Sequence, residues 1–185
     1  MIKVILIPGN GGAMPQDNWF PYAERELSRL GLAVINQQFP DAVLARAEYW
    51  LPFIKELGAD HNTILVGHSS GAIAALRFAQ TNKILGSVLV SAYYTDLGMD
   101  SEKQSGYFDR PWNWPAIKNN QQWIIQFAAT DDPFIPIEEP RLLHQNLRTE
   151  YYEYSDQNHF GYGDKPKLEF VELVSALKTK LEINP

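Results

Sequence analysis

Two rhythms of apolar residues alternate along the chain. Short runs such as Val4-Ile5-Leu6-Ile7 and Ser87-Val88-Leu89-Val90 are apolar at nearly every position, as strands buried on both faces of a sheet require. Longer stretches between them carry apolar residues at helical spacing. Phe170, Leu173, Val174, Leu177 and Leu181 form one such stripe, which reads as a packing surface. The pattern predicts strands near 2–8, 32–39, 63–68, 86–92, 123–130 and 149–155, and helices near 17–30, 41–57, 70–81, 138–147 and 166–182. Such alternation implies an α/β fold: a mostly parallel six-stranded sheet with helices on both faces. No internal repeat, linker or low-complexity segment interrupts it, so residues 1–185 read as a single domain.

One segment breaks the rhythm. Between two predicted strands, residues 96–120 contain Gly98, Gly106, Tyr107, Phe108, Pro111, Trp112, Trp114 and Pro115. An aromatic-rich excursion of this kind forms either a small lid or pocket wall, or a short helix packing its tryptophans on the sheet edge. There is no room for a large cap domain.

Composition narrows the setting. A chain of 185 residues buries roughly 70% of its unfolded surface. Its 45% hydrophobic and 21% charged content is that of a soluble globular protein. The net charge of −6 and the lack of a Lys/Arg cluster argue against a nucleic-acid partner. With no cysteine, disulfides, thiolate metal sites and a cysteine nucleophile are excluded together. The apolar start, Met1 to Pro8, is too short for a signal-peptide core or a membrane span, and nothing later approaches spanning length. The expectation is a cytoplasmic protein without a membrane partner.

The candidate chemistry centres on Gly67-His68-Ser69-Ser70-Gly71. It follows the apolar run Thr63-Ile64-Leu65-Val66 and precedes the small-residue helix Ala72–Ala79. Strand, G-x-S-x-G, helix is the context of a nucleophile elbow. In a parallel sheet, working residues gather at the carboxyl ends of strands. Asp131 and Asp132 follow the fifth predicted strand and His159 follows the sixth. The order Ser, Asp, His is that of α/β-hydrolases. A serine hydroxyl needs an imidazole to accept its proton, and the imidazole needs a carboxylate to fix its tautomer. The Asp-Pro step makes one of the two aspartates structural. Among the other histidines, His144 falls within a predicted helix, His61 at the opposite end of the sheet, and His68 inside the elbow, beside the nucleophile. A tetrahedral oxyanion needs two backbone donors. One is the Ser70 N–H; the other comes from the loop Pro8-Gly9-Asn10-Gly11-Gly12, from Asn10 or Gly11. That loop matches neither a dinucleotide-binding nor a Walker A pattern. No cofactor and no metal are expected.

The resemblance is more specific than the fold. Pro8–Gly12, Tyr49–Phe53, Gly67–Ala75, Val90–Tyr93, Ser105–Phe108 with Arg110–Trp112, and Thr130–Phe134 resemble the retinoblastoma-binding protein 9 family of small serine hydrolases, essentially end to end. The resemblance implies an α/β-hydrolase fold, with Ser69 as nucleophile, Asp132 rather than Asp131 as acid, and His159 as base. It does not extend to retinoblastoma binding. Where the mammalian protein has a Leu-x-Cys-x-Glu motif, this chain reads Leu57-Gly58-Ala59-Asp60-His61, without the cysteine or the glutamate. The expected activity is hydrolysis of small carboxylic esters, with amides and thioesters as further substrate types, through an acyl-enzyme on Ser69. His68, Tyr107, Phe108, Trp112, Trp114 and Phe134 are the expected pocket residues. The alternative is a protein-interaction module that keeps the hydrolase fold with little turnover.

Overall fold

In the computed structural model, which describes residues 1–162 and 165–182, the apolar runs become strands β1 (Lys3–Ile7), β2 (Ala33–Ile35), β3 (Thr63–His68), β4 (Gly86–Val90), β5 (Trp123–Ala129) and β6 (Glu150–Tyr154). They pair in the order β2-β1-β3-β4-β5-β6, and every pairing is parallel. The helices are α1 (Phe20–Arg29), α2 (Ala47–Glu56), α3 (Ser70–Ala79), α4 (Asp100–Gln104), α5 (Trp114–Asn119), α6 (Glu138–Leu147) and α7 (Val171–Lys180). The single-domain expectation spans 1–185, of which residues 163–164 and 183–185 lie outside the described residues.

Strand alternation splits the core into two layers. Ile5, Ile7, Leu65 and Leu89 face one way, against Trp50 and Ile54 of α2, Ile73 and Phe78 of α3, Ile117 of α5 and Leu143 of α6. Val4, Leu6, Val66, Val88 and Phe127 face the other way, against Phe20 and Leu27 of α1 and Leu173 and Leu177 of α7. The central strands are therefore apolar at successive positions, because both of their faces are covered.

Strand order reverses at β1. The chain leaves it for β2 on one side and later builds β3 on the other. The loops leaving the carboxyl ends of β1 and β3 therefore diverge, opening a crevice between Gly9 and Ser69, the position where open α/β sheets bind ligands. Helix α3 runs from that crevice beneath the sheet, with every residue from Ser70 to Ala79 buried.

Several predicted elements are shorter than their hydrophobic pattern. Strand β2 ends at Ile35, not 39, because polar side chains beyond it bond elsewhere: Asn36 Nδ2 donates to the Pro15 carbonyl (2.9 Å) and Gln38 Nε2 to the Ala13 carbonyl (3.1 Å). Helix α2 begins at Ala47 rather than 41. Asp41 and Ala45 have positive φ, and the Asp41 carboxylate accepts bonds from the Arg46 N–H and guanidinium, forming a turn in place of the first helical turns. Asn18, also at positive φ, delays α1 from 17 to Phe20. The last helix starts at Val171, not 166, and ends at Lys180. The excursion 96–120 holds α4 and α5 and is tied to α3 by Arg77. This buried guanidinium stacks over Trp112 (3.5 Å) and donates to the carbonyls of Tyr107 (2.7 Å), Arg110 (2.7 Å) and Pro111 (3.2 Å). Burial, with Arg110 nearby, lowers its pKa to about 10. Among the described residues, no helix is long and apolar enough to cross a membrane.

Candidate active site

The turn after β3 exists because two glycines permit it. A Cβ on Gly67 would stand 2.3 Å from the Gly71 carbonyl oxygen, and one on Gly71 would stand 2.3 Å from the carbonyl oxygens of Ile7 and Pro8. Helix α3 thus enters directly against the end of β1. Between the glycines, Ser69 adopts φ 53°, ψ −122°, a conformation that L residues hold only when their surroundings enforce it. Its N–H donates to the Val90 carbonyl (2.9 Å), and its carbonyl accepts from the N–H groups of Ala72 (2.9 Å) and Ile73 (3.3 Å). The serine side chain is left at the mouth of α3, 9% exposed.

Asp132 and His159 meet across the ends of β5 and β6. His159 Nδ1 and Asp132 Oδ2 are 2.7 Å apart, with both side chains nearly excluded from solvent. The same carboxylate oxygen accepts from Ser91 Oγ (2.9 Å), while Oδ1 accepts the N–H groups of Phe134 (3.0 Å) and Ile135 (3.1 Å). Asp132 is therefore held by both its oxygens. Asp131 points elsewhere: its Oδ1 accepts the Asn158 N–H (3.0 Å) and its Oδ2 approaches the Lys165 ammonium. With Nδ1 engaged, His159 Nε2 is the ring nitrogen available to a serine hydroxyl. Among the described residues Ser69 Oγ makes no hydrogen bond to His159, a contact that commonly tightens only with substrate in place.

His68 packs behind His159. It is buried, and its Nε2 donates to the backbone carbonyl of His159 (3.0 Å). Its ring stacks on Tyr162 (4.8 Å) and meets the His159 ring edge-on (4.7 Å). Burial, reinforced by His159, pushes its pKa well below the usual imidazole range, so it stays neutral and Nδ1 is a bare acceptor without a partner among the described residues.

These groups border a cavity of about 320 Å³ lined by Gly9, Asn10, His68, Ser69, Tyr93, Leu97, Met99, Ser101, Glu102, Phe134, Ile135, His159 and Tyr162. The structure brings His68, Phe134 and Asn10 to this cavity, but not Tyr107, Phe108, Trp112 or Trp114. Tyr107 lines a separate hollow with Arg77 and α2; Phe108 and Trp112 line another with Tyr94 and Pro111. Trp114 stacks on Trp112 (5.2 Å) against the core. The anchoring of 107–112 on Arg77 turns these aromatics away from the serine. Gly11 is also displaced from its expected role: its N–H donates to the Val43 carbonyl (3.0 Å), and it does not line the cavity. Of the two candidates from this loop, Asn10 is the one that borders the cavity. On the other side, Ser70 opens α3, where the first N–H groups of a helix lack intrahelical acceptors.

Pattern reasoning missed Ser91, Tyr93, Leu97, Met99, Glu102, Ile135 and Tyr162. Ser91 and Tyr93 follow the carboxyl end of β4, a position that points to the site. Glu102 lies in Asp100-Ser101-Glu102-Lys103-Gln104, which reads as a solvated turn of helix and carries no signal of burial. Leu57–His61, where the retinoblastoma motif is missing, forms the link from α2 to β3, beginning with the C-cap Leu57 and Gly58 at φ 77°.

The fold and the strained serine at the crevice define the α/β-hydrolase class. The chain belongs to the Serine hydrolase family, whose model matches residues 4–168. It is 42% identical over 182 residues to Serine hydrolase RBBP9 of Rattus norvegicus, covering 97% of this chain and 95% of that one. It is 29% identical over 169 residues to the putative hydrolase YdeN of Bacillus subtilis, covering 86% of this chain and 87% of that one. The crystal structure of the B. subtilis ydeN gene product superposes with a TM-score of 0.85, at 23% identity in the structural alignment, over 98% of this chain and 100% of that one. Est1E from Butyrivibrio proteoclasticus, solved with ferulic acid bound, shares the fold with a TM-score of 0.75 at 13% identity, over 99% of this chain and 89% of that one. The chain is thus a hydrolase by family and an α/β-hydrolase by fold.

Proposed function

We propose that this hydrolase cleaves small carboxylic esters through an acyl-enzyme on Ser69. The observation that carries the reading is the 2.7 Å pairing of His159 Nδ1 with Asp132 beside a strained serine on one cavity. Ser69 Oγ attacks the ester carbonyl carbon while its proton passes to His159 Nε2. The carbonyl π electrons move to oxygen, and the oxyanion is held by the N–H groups of Ser70 and Asn10. Collapse restores the carbonyl and breaks the bond to the alcohol oxygen, which takes the proton from His159. Water then attacks the acyl-enzyme by the same route, its proton moving to His159 and then to Ser69 as the carboxylic acid leaves. Asp132 orients His159 and stabilises the imidazolium. Leu97, Met99, Phe134 and Ile135 give the cavity an apolar side, suited to a short acyl or leaving group. An amide or thioester would follow the same steps with a different leaving group. The reading needs no cofactor.

Wild-type protein is expected to be labelled at Ser69 by a fluorophosphonate probe and to turn over p-nitrophenyl acetate. Ser69→Ala should retain its fold and lose labelling, with the rate falling by about 10⁴-fold or more. Full activity in Ser69→Ala, or an inert wild type, overturns the reading.

A further inference from the structure

One buried carboxylate takes no part in the steps above. Glu102 comes from α4, in the excursion between β4 and β5, yet it is only 4% exposed and borders the cavity. Its Oε1 accepts a hydrogen bond from Asn10 Nδ2 (2.7 Å) and its Oε2 accepts one from the Tyr93 hydroxyl (2.7 Å). The single Tyr93 proton is thereby committed, so at the 3.1 Å contact with Ser70 it is Ser70 Oγ that donates to the tyrosine oxygen. The carboxylate thus reaches Asn10 directly and Ser70 through Tyr93. These are the two residues whose backbone N–H groups serve as oxyanion donors.

The donors come from different elements, the loop after β1 and the start of α3. No covalent geometry fixes their spacing, and a donor acts well only when aimed at the developing charge. A buried charge is costly unless fully bonded, and here burial raises the Glu102 pKa despite the bonds from Tyr93 and Asn10. Stability alone gives little reason to keep such a group.

We propose that Glu102 is a positioning residue that sets the oxyanion hole, so that α4 completes the active site by tethering both of its backbone donors. The proposal rests on Ser69 being the nucleophile. Acylation and deacylation both pass through an oxyanion, so a misaligned hole slows both steps and leaves KM nearly unchanged. A residue that only shapes the cavity wall would alter KM instead.

The test uses Glu102→Gln, Asn10→Ala and their double variant, assayed with p-nitrophenyl acetate and for the rate of fluorophosphonate labelling. Asn10→Ala keeps the backbone donor and removes only the tether. Loss of an entire donor costs about 10²–10³-fold, so a misdirected one should cost about 10- to 100-fold in kcat. The labelling rate should fall by a similar factor, and KM should stay within about twofold. Both single variants cut the same tether, so the double variant should be no slower than the slower single one. If Glu102→Gln fails to fold, Asn10→Ala with Tyr93→Phe, which cuts the arm to Ser70, carries the test by the same kcat and KM criteria. Wild-type kcat in these variants, a change confined to KM, or multiplying effects in the double variant overturns the tether while leaving the nucleophile standing. An inert wild type, or an unimpaired Ser69→Ala, removes the nucleophile and the tether together.

Discussion

At the scale of single residues, the proposed mechanism separates side chains that touch the reacting atoms from those that aim them. Asp132 uses both carboxylate oxygens, taking His159 and Ser91 on one and two backbone N–H groups on the other. Asp131 holds the loop preceding His159 through the Asn158 N–H. Asp132→Asn should therefore lower kcat/KM by about 10⁴-fold, as expected when a triad base loses its tautomer control. Asp131→Asn loses part of one loop contact, worth about 1 kcal/mol, and should stay within about tenfold of wild type. Ester hydrolysis by the two purified variants decides between them, and a larger loss at Asp131 would reverse the assignment. Ser91→Ala removes a single bond to the Asp132 carboxylate, so a fall of about 10-fold or more is expected, chiefly in kcat because Ser91 does not line the cavity. An unchanged kcat would show that the remaining bonds hold Asp132 on their own.

At the scale of elements, what was legible in the sequence followed from burial. Strands β1, β3, β4 and β5 and helix α3 lie where covering on both sides makes the hydrophobic pattern unambiguous. The misread boundaries lie where polar side chains or positive φ angles override that pattern: Asn36 and Gln38 after β2, Asp41 and Ala45 before α2. Strand ends mark Ser69, the pair Asp131-Asp132 and His159 as candidates, while the choice of Asp132 over Asp131 rests on the family resemblance. The pocket wall has no such mark, since Arg77 lies on α3, far along the chain from the aromatics it turns away, and a pairing of that kind leaves no local signature. The elbow offers a test of what each glycine does. In Gly71→Ala the new Cβ meets two backbone carbonyls that cannot yield, so stability should fall by about 3 kcal/mol, with activity falling further as the β1 loop moves. Gly11 has φ 75° and open space around it, so Gly11→Ala should cost only about 1 kcal/mol, the strain of a left-handed residue. Urea midpoints give both values. Equal costs would mean that the backbone around Gly71 yields to a Cβ and that the close approach does not require glycine.

At the scale of the whole molecule, the covered sheet that makes the elbow possible also buries a titratable group at its centre. His68 ends β3, fully enclosed, with its pKa held well below the ordinary value of 6.5 by burial. The unfolded chain binds a proton there as pH falls below about 6.5, while the folded protein does not, so the unfolded state gains. Stability should therefore be flat in this respect above that pH. Below it, stability should decline by about 1.4 kcal/mol per pH unit until the folded group itself protonates. The carboxylates whose pKa values are lowered, Asp41 and Asp60 among them, lose their contribution only as pH drops below about 4, outside this window. Glu102 acts with the opposite sign: its raised pKa means that the folded state holds the proton more tightly above 4.5, so its term weakens stability as pH rises. It therefore opposes the His68 slope over the pH range in which Glu102 titrates. His68→Gln keeps a donor for the His159 carbonyl and removes the titration. Denaturant unfolding at pH 7.0, 6.0 and 5.0 should show a clear loss in wild type and a flatter profile in the variant. Parallel profiles would place the acid sensitivity elsewhere in the molecule. A flatter variant would tie the acid limit of the fold to the residue beside Ser69, so that the packing that strains Ser69 also sets the pH range in which the fold persists.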